Sequence, residues 1–310
     1  MIHRRLSTVM VSLVGTLVIL STVPIAAFAS TGPISPPITK GTDTDPHIGM
    51  SPAILQGSRN KQAISSAFYA ANFGPNRSKV SPLCPQLADT TSLTCTPPIS
   101  KDLVGNQMTQ QAITWCGPAA MTEVILGLGV NSVGVTMTMT QSSAATLLKT
   151  QPYDNDTDDG TAWSGINAAV PNPTLRPMVD LYNYKYFGTT AGSMYQIGVT
   201  YLAAAPHYTA SDLANYKSNL TWDVYDGYPV IGDAYESPGG YFLTGHPTNI
   251  VIYHWFKIRG YYSSGAGTDY EDSESGAEAL SGWPVGSVPK YSSIDTVRLI
   301  QILGERGYIW

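Results

Sequence analysis

This sequence is poor in charge, in cysteine and in histidine. Charged residues make up 13% of its 310 positions, against 43% hydrophobic ones. That balance argues against disorder, because the chain has enough apolar surface to build a core. It has no block of lysines or arginines, and its formal net charge is −5. Nucleic acid and acidic membrane surfaces need a basic patch, so neither is expected as a partner. Beyond the first thirty residues no run is apolar enough to span a bilayer. There is no internal repeat and no glycine-rich phosphate motif. The cysteines have no histidines at zinc-ligand spacing, so no metal and no cofactor is expected.

What is present begins with a leader. Arg4 and Arg5 precede an apolar run that ends at Ala27-Phe28-Ala29. A positive start, an apolar middle and a small-residue site form a secretory signal peptide over residues 1–29. An uncleaved anchor is the alternative, because the apolar run is long; Pro24 and the small residues favour cleavage. The expected location is therefore extracellular, with no stable membrane association after cleavage. Loss of Arg4 and Arg5 moves the formal charge from −5 to −7.

An exported chain favours disulfides. The three cysteines are Cys84, Cys95 and Cys116. Cys84 and Cys95 lie eleven positions apart in one proline-flanked loop and are natural partners. Cys116 is then the odd thiol, either reactive or intermolecular. Pairing of Cys95 with Cys116, leaving Cys84 free, is the alternative.

Residues 30–60 are rich in Pro, Thr, Gly and Ser and read as a linker or loosely packed arm. Residues 60–74 allow a short helix. The whole stretch 30–100 reads as an N-terminal arm or propeptide-like region, and 101–310 as one domain. A helix is expected from Cys116, with Pro118 tolerated in its first turn. Met121, Val124, Ile125 and Leu128 recur at helical spacing, and Gly127 and Gly129 end the run. Further helices are expected over 142–150 and 211–225, the latter capped by Ser211 or Asp212. Residues 227–236, 249–262 and 268–273 read as strands, the last two as a hairpin. A closing helix is expected over 292–303. Helices first and antiparallel strands second define an α+β domain.

A cysteine in the first turn of a helix is well placed for chemistry, since free N–H groups and the helix dipole favour a thiolate. Such a nucleophile needs a base and a group to orient the base. Removing the leader leaves His47, His207, His246 and His254. His47 sits in the proline-rich arm, and His207 and His246 in loops. His254 opens a strand, where a rigid scaffold can aim it. Asp272 follows across the hairpin and can present its carboxylate to the imidazole Nδ1–H; Asp269 competes for that role. The acidic run of Asp154, Asp156 and Asp158 alternates like a calcium loop. Its glycine comes one place late and no glutamate closes it, so it reads as a solvated turn.

The boxes Q-A-I-T-W-C-G-P-A-A, H-W-F-K-I-R-G-Y and Y-E-D-S resemble the papain-like cysteine peptidases. They are most similar to the secreted relatives of the double-glycine leader peptidases, cysteine peptidase family thirty-nine. Gln110 stands six residues before Cys116, His254 precedes Gly260-Tyr261, and Asp272 takes the acid's place, with Ser273 where the family usually has proline. The likeness covers roughly residues 105–275. It implies a papain-like fold, with N-terminal helices packed on an antiparallel sheet. It also implies a Cys116–His254–Asp272 triad and an oxyanion hole from Gln110 and the Cys116 backbone N–H. The expected activity is hydrolysis of peptide bonds in a peptide or protein substrate. Transporter-linked leader peptidases lack a signal peptide, so cleavage at double-glycine leaders is not implied. A cell-wall amidase or acyl transferase on the same scaffold, or a non-catalytic exported binding protein, are the rival readings.

The cysteine pattern makes the first prediction. Peptide mapping without reductant should recover Cys84 linked to Cys95 and Cys116 as an alkylatable thiol. A bridge that includes Cys116 would overturn the pairing and the nucleophile together.

Overall fold

The polar stretch after residue 50 starts a helix because of two residues. The Ser51 side chain accepts the Ile54 N–H at 3.3 Å, and Pro52 occupies the first helical turn. This is seen in a computed structural model that describes residues 50–75, 97–153, 159–164, 170, 176–202 and 204–310. The leader, His47, the expected Cys84–Cys95 disulfide and the acidic run 154–158 lie outside the described residues.

Along the described chain the elements are α1 (Pro52–Asn72), β1 (Lys101–Asp102), α2 (Cys116–Leu128), α3 (Gln141–Leu148), α4 (Pro177–Phe187) and β2 (Gln196–Ile197). They continue with α5 (Ala210–Asp226), β3 (Val230–Glu236), β4 (Ile252–Tyr262), β5 (Gly267–Glu271), β6 (Tyr291–Asp295), α6 (Thr296–Ile302) and β7 (Gly307–Ile309). The sheet runs β2-β7-β3-β4-β5-β6, with β1 added along the far end of β4. Its strand pairs are antiparallel, so the chain is a mixture of helices and one antiparallel sheet, as expected.

Side chains alternate across the sheet, and each face is covered. Ile231, Trp255 and Ile309 meet α2, α3 and α4 on one face. Val230, Ala234, Phe256, Ile258 and Tyr308 meet α5 and α6 on the other. Helix α2 is buried from Gly117 to Ile125, so its apolar residues face neighbours on nearly every side. No helix of the described residues is long and apolar enough to cross a membrane.

The structure corrects several expectations. The helix expected over 60–74 runs from Pro52, and its segment of the arm is packed rather than loose. Phe68 is fully buried, with its ring 5.2 Å from Trp222 and 5.4 Å from Tyr225 of α5. Lys61 reaches Asp223 of the same helix at 3.0 Å. Helix α5 is capped by Thr209, not Ser211 or Asp212. Asp212 returns a bond to the Thr209 N–H at 2.8 Å, which closes a reciprocal capping box. The closing helix is β6 followed by α6, because the Asp295 carboxylate accepts the Val297 N–H at 2.8 Å and starts the helix there. Helix α4 has no amphipathic pattern in the sequence: its apolar residues are interrupted by Asp180, Asn183 and Lys185, two of which are buried.

Phe68 offers the test of α1 as part of the packed structure. Phe68→Ala should lower unfolding free energy by about 3–5 kcal/mol, the usual range for an emptied aromatic site. The check is urea unfolding monitored by far-UV circular dichroism. An unchanged midpoint would mean that α1 does not dock.

Candidate active site

Three stretches remote in sequence meet at one end of the sheet. The first is the start of α2. Cys116 is its first residue and is half-buried. Its backbone N–H lies in the turn that intrahelical bonds do not reach. Pro118 has no N–H to leave unpaired in that turn. Gly117 is required by contact: a Cβ there would fall 2.5 Å from the Thr161 hydroxyl oxygen and 2.6 Å from its Cβ. Cys116 carries a free thiol.

The second stretch is the β3–β4 pair. His254 lies opposite Ala234 in the middle of the register and is 3% exposed. The third is the turn after β5, where Asp272 follows the last strand residue and is fully buried. A zipper of hydrogen bonds ties this turn to the segment before α2. Gln107 Nε2 donates to the Asp272 carbonyl at 2.8 Å, Gln110 N–H to the Ser273 carbonyl at 2.8 Å, and Thr109 Oγ1 to the Ser275 carbonyl at 2.7 Å. A buried charged cluster lies beneath it. Glu271 accepts the Asn106 N–H at 3.2 Å and pairs with Lys257 at 3.2 Å, while Glu123 of α2 accepts the Met108 N–H at 2.7 Å.

The chemistry centres on Asp272. Its Oδ1 lies 2.9 Å from His254 Nε2 and accepts the Glu274 N–H at 2.9 Å. Its Oδ2 lies 3.1 Å from His246 Nε2. The other nitrogen of His246, Nδ1, lies 2.8 Å from Glu236 Oε2 at the end of β3. Cys116 lies close enough to His254 to favour its charged form, and since Nε2 faces Asp272, Nδ1 is the nitrogen left for the thiol. The ring is therefore turned over relative to the expectation that Asp272 would hold Nδ1–H. Trp283 closes over this cluster, its ring 4.8 Å from that of His246.

Both histidines are held in the charged form. A ring whose two nitrogens face carboxylate oxygens can donate to both only when doubly protonated. Burial opposes that charge on His246, but Glu236 and Asp272 outweigh it and raise the group to about 9. Burial likewise opposes charge on His254, and Asp272, then Cys116, raise it well above the ordinary histidine value. For Asp272 burial favours the neutral acid, but the two imidazoles overcome this and hold it well below the usual carboxylate range.

Gln110 is 2% exposed and lines the same cleft as Cys116 and His254, which encloses about 70 Å³. Its Oε1 faces Ser273 Oγ at 3.4 Å, and its Nε2 makes a long contact of 3.3 Å to the Ile113 carbonyl. Ser273, the departure from the family's proline, thus sits against the amide oxygen. Asp269 is elsewhere: it pairs in register with Gly260 and contacts Ser293. His207 lies tilted against Tyr201, with ring centres 5.3 Å apart, and does not line the cleft. His246, set aside as a loop histidine, is the residue that sequence reasoning missed. Its short run L-T-G-H-P carries no strand pattern to place it, and only the fold brings it to Asp272.

His246, His254 and Asp272 lie close enough together to hold a metal ion. Their nitrogens and oxygens already face one another at 2.9 and 3.1 Å. Metal binding would need those lone pairs and would expel the protons that bridge them.

No family model and no curated protein matches this chain. Among solved structures it is similar to xylellain, a cysteine protease from Xylella fastidiosa. The two are 14% identical, the match covers 73% of this chain and 93% of that one, and the TM-score is 0.32. A likeness that distant carries no weight, and the reading below rests on the site itself.

The charge on His246 predicts a pH signature. Its pKa is raised on folding, so its contribution to stability is complete below the ordinary value near 6.5. That contribution is lost as pH rises through about 9. The melting temperature should fall across that window. His246→Gln, which keeps a neutral donor, should start lower and vary less over the same range. Parallel pH profiles of the two proteins by scanning calorimetry would exclude a charged His246.

Proposed function

We propose that this chain is an exported cysteine peptidase of papain-like architecture, acting through Cys116, His254 and Asp272 with Gln110 as oxyanion donor. The carrying observation is that Cys116 and His254 line one cleft and that Asp272 holds His254 from behind at 2.9 Å. A nucleophile, a base and an orienting acid in series are what amide hydrolysis requires. The leader and the resemblance in the Cys, His and Asp boxes favour the same reading.

The proposed reaction runs in two halves. The site reacts as a His254 imidazolium paired with a Cys116 thiolate, and the sulfur attacks the carbonyl carbon of the substrate. The oxyanion that forms is received by Gln110 Nε2 and the Cys116 N–H, where loss of one donor costs about 100- to 1,000-fold in rate. The C–N bond breaks as His254 returns its proton to the leaving amine, and a thioester remains. His254 then draws a proton from water, hydroxide adds to the thioester, and the acid is released with the thiolate–imidazolium pair restored. Asp272 holds the imidazole ring, and His246 with Glu236 holds Asp272. In this scheme His246 is a positioning residue.

The test combines a thiol-reactive probe with a peptide library read by mass spectrometry. Labelling of Cys116 should require folded protein and His254. Cys116→Ala should abolish cleavage, and His254→Ala nearly so. Asp272→Asn should lower kcat by about 100-fold, within the range attributed to positioned acid–base groups. Asp269→Asn should leave kcat unchanged, since it lies against Ser293. Dialysis against a chelator should have no effect. Loss of activity on chelation would favour a metal centre. Cleavage of muropeptides but not peptides would favour the cell-wall amidase. A thiol no more reactive than free cysteine would favour a binding protein.

A further inference from the structure

The cleft that holds Cys116 carries more acidic side chains than the proposed triad uses. Asp159, Asp233 and Glu274 line it, against one guanidinium, Arg306. Glu274 is 2% exposed, and its position is fixed, because its own N–H donates to Asp272 Oδ1 at 2.9 Å. Ser281, another residue of the cleft wall, stands close enough to favour its ionised form. Its Oε1 is buried without a hydrogen-bond partner among the described residues. Asp233 enters from the opposite side, on β3 across from Trp255, and is also 2% exposed. It lies close enough to Cys116 and His254 to feel the charge of both. Arg306 forms a long ion pair with it, Nε to Oδ2 at 3.8 Å.

Buried acceptors facing a cleft are costly to leave unmatched, and native sites fill them with donors. Burial raises both carboxyls, with Cys116 adding to the effect at Asp233 and Ser281 opposing it at Glu274. A cation entering the cleft would offset that burial. A compact ammonium with three donors suits a cleft of about 70 Å³ better than the planar fork of a guanidinium.

We propose that the cleft selects substrates bearing an ammonium group beside the scissile bond, received by Glu274 and Asp233. This rests on the peptidase reading, and it names the chemical class of substrate. The ammonium could belong to a lysine-type side chain or to a free N-terminal amine.

Two measurements keep this inference separable from the peptidase reading. The first needs no peptide. Cys116 is alkylated with 2-bromoethylammonium, iodoacetamide and iodoacetate, and each rate is divided by that for free cysteine. His254 and Arg306 attract the anion in every variant, so the readout is the change in cation-to-anion ratio. Glu274→Gln and Asp233→Asn should each lower it, and the pair together by about tenfold. A ratio unmoved in both single variants overturns the proposal, so it stays testable even if the double variant does not fold. The second uses matched peptides, lysine against norleucine and free against acetylated N-termini. The parent protein should favour one ammonium source by about tenfold in kcat/KM, and Glu274→Gln should erase the preference. Charge-dependent alkylation without peptide cleavage would keep the acidic cleft and reject the peptidase. Cleavage indifferent to both ammonium sources would do the reverse.

Discussion

Everything at the site turns on one buried carboxylate shared between two imidazoles. Asp272 has no solvent to stabilise its charge, yet each of its oxygens is occupied by a ring nitrogen, and one also by a backbone N–H. A buried charge is tolerable only when paired and hydrogen-bonded, and an unpaired one would neutralise itself by taking up a proton. The two histidines are the condition for Asp272 to remain an anion, and Asp272 in turn favours the cation at both, second to Glu236 at His246. Glu236 enters the same balance from β3. With two carboxylates and two imidazoliums, the cluster is formally neutral as a whole. That allows so many ionised groups to lie within one dry pocket of the fold.

The balance holds only because the backbone brings its parts into register. Residues 106–111 are laced to 271–275 by carbonyl and amide bonds that involve no catalytic side chain. Beneath them Glu123, Lys257 and Glu271 tie α2, β4 and β5 to the incoming segment. The nucleophile, the base and the acid come from these same three elements or their ends. A structural charge cluster thus fixes the relative position of the reactive one, and the two share the strand pair β4–β5 as a common floor.

Much of this was legible in the sequence where it depends on local pattern. Helix α2 was marked by its proline, its apolar spacing and its terminal glycine, because all three act within a few residues. The β4–β5 hairpin followed from β-branched and aromatic residues around a glycine turn. The sequence left Asp269 and Asp272 in competition, and the fold sets Asp272 against His254 and Asp269 against Ser293. What escaped depends on contacts made across the fold. Helix α4 places Asp180 and Asn183 inside the protein, so its pattern is not amphipathic. Which ring nitrogen of His254 meets Asp272 is decided by where α2 lies, and no spacing encodes that. His246 belongs to the cluster only because Glu236 and Asp272 converge on it from two strand ends.

Helix α1 has a consequence of another kind. It reaches the rest of the molecule through a buried aromatic ring and an ion pair on α5. Its capping is its own, supplied by Ser51 at one end and a backbone bond from Phe73 to Tyr69 at the other. Such a helix stands to its binding groove as a peptide stands to a receptor. A single cut in the connection to β1 would leave two polypeptides in a stoichiometric complex, indistinguishable from the intact protein until a reducing, denaturing gel pulled them apart.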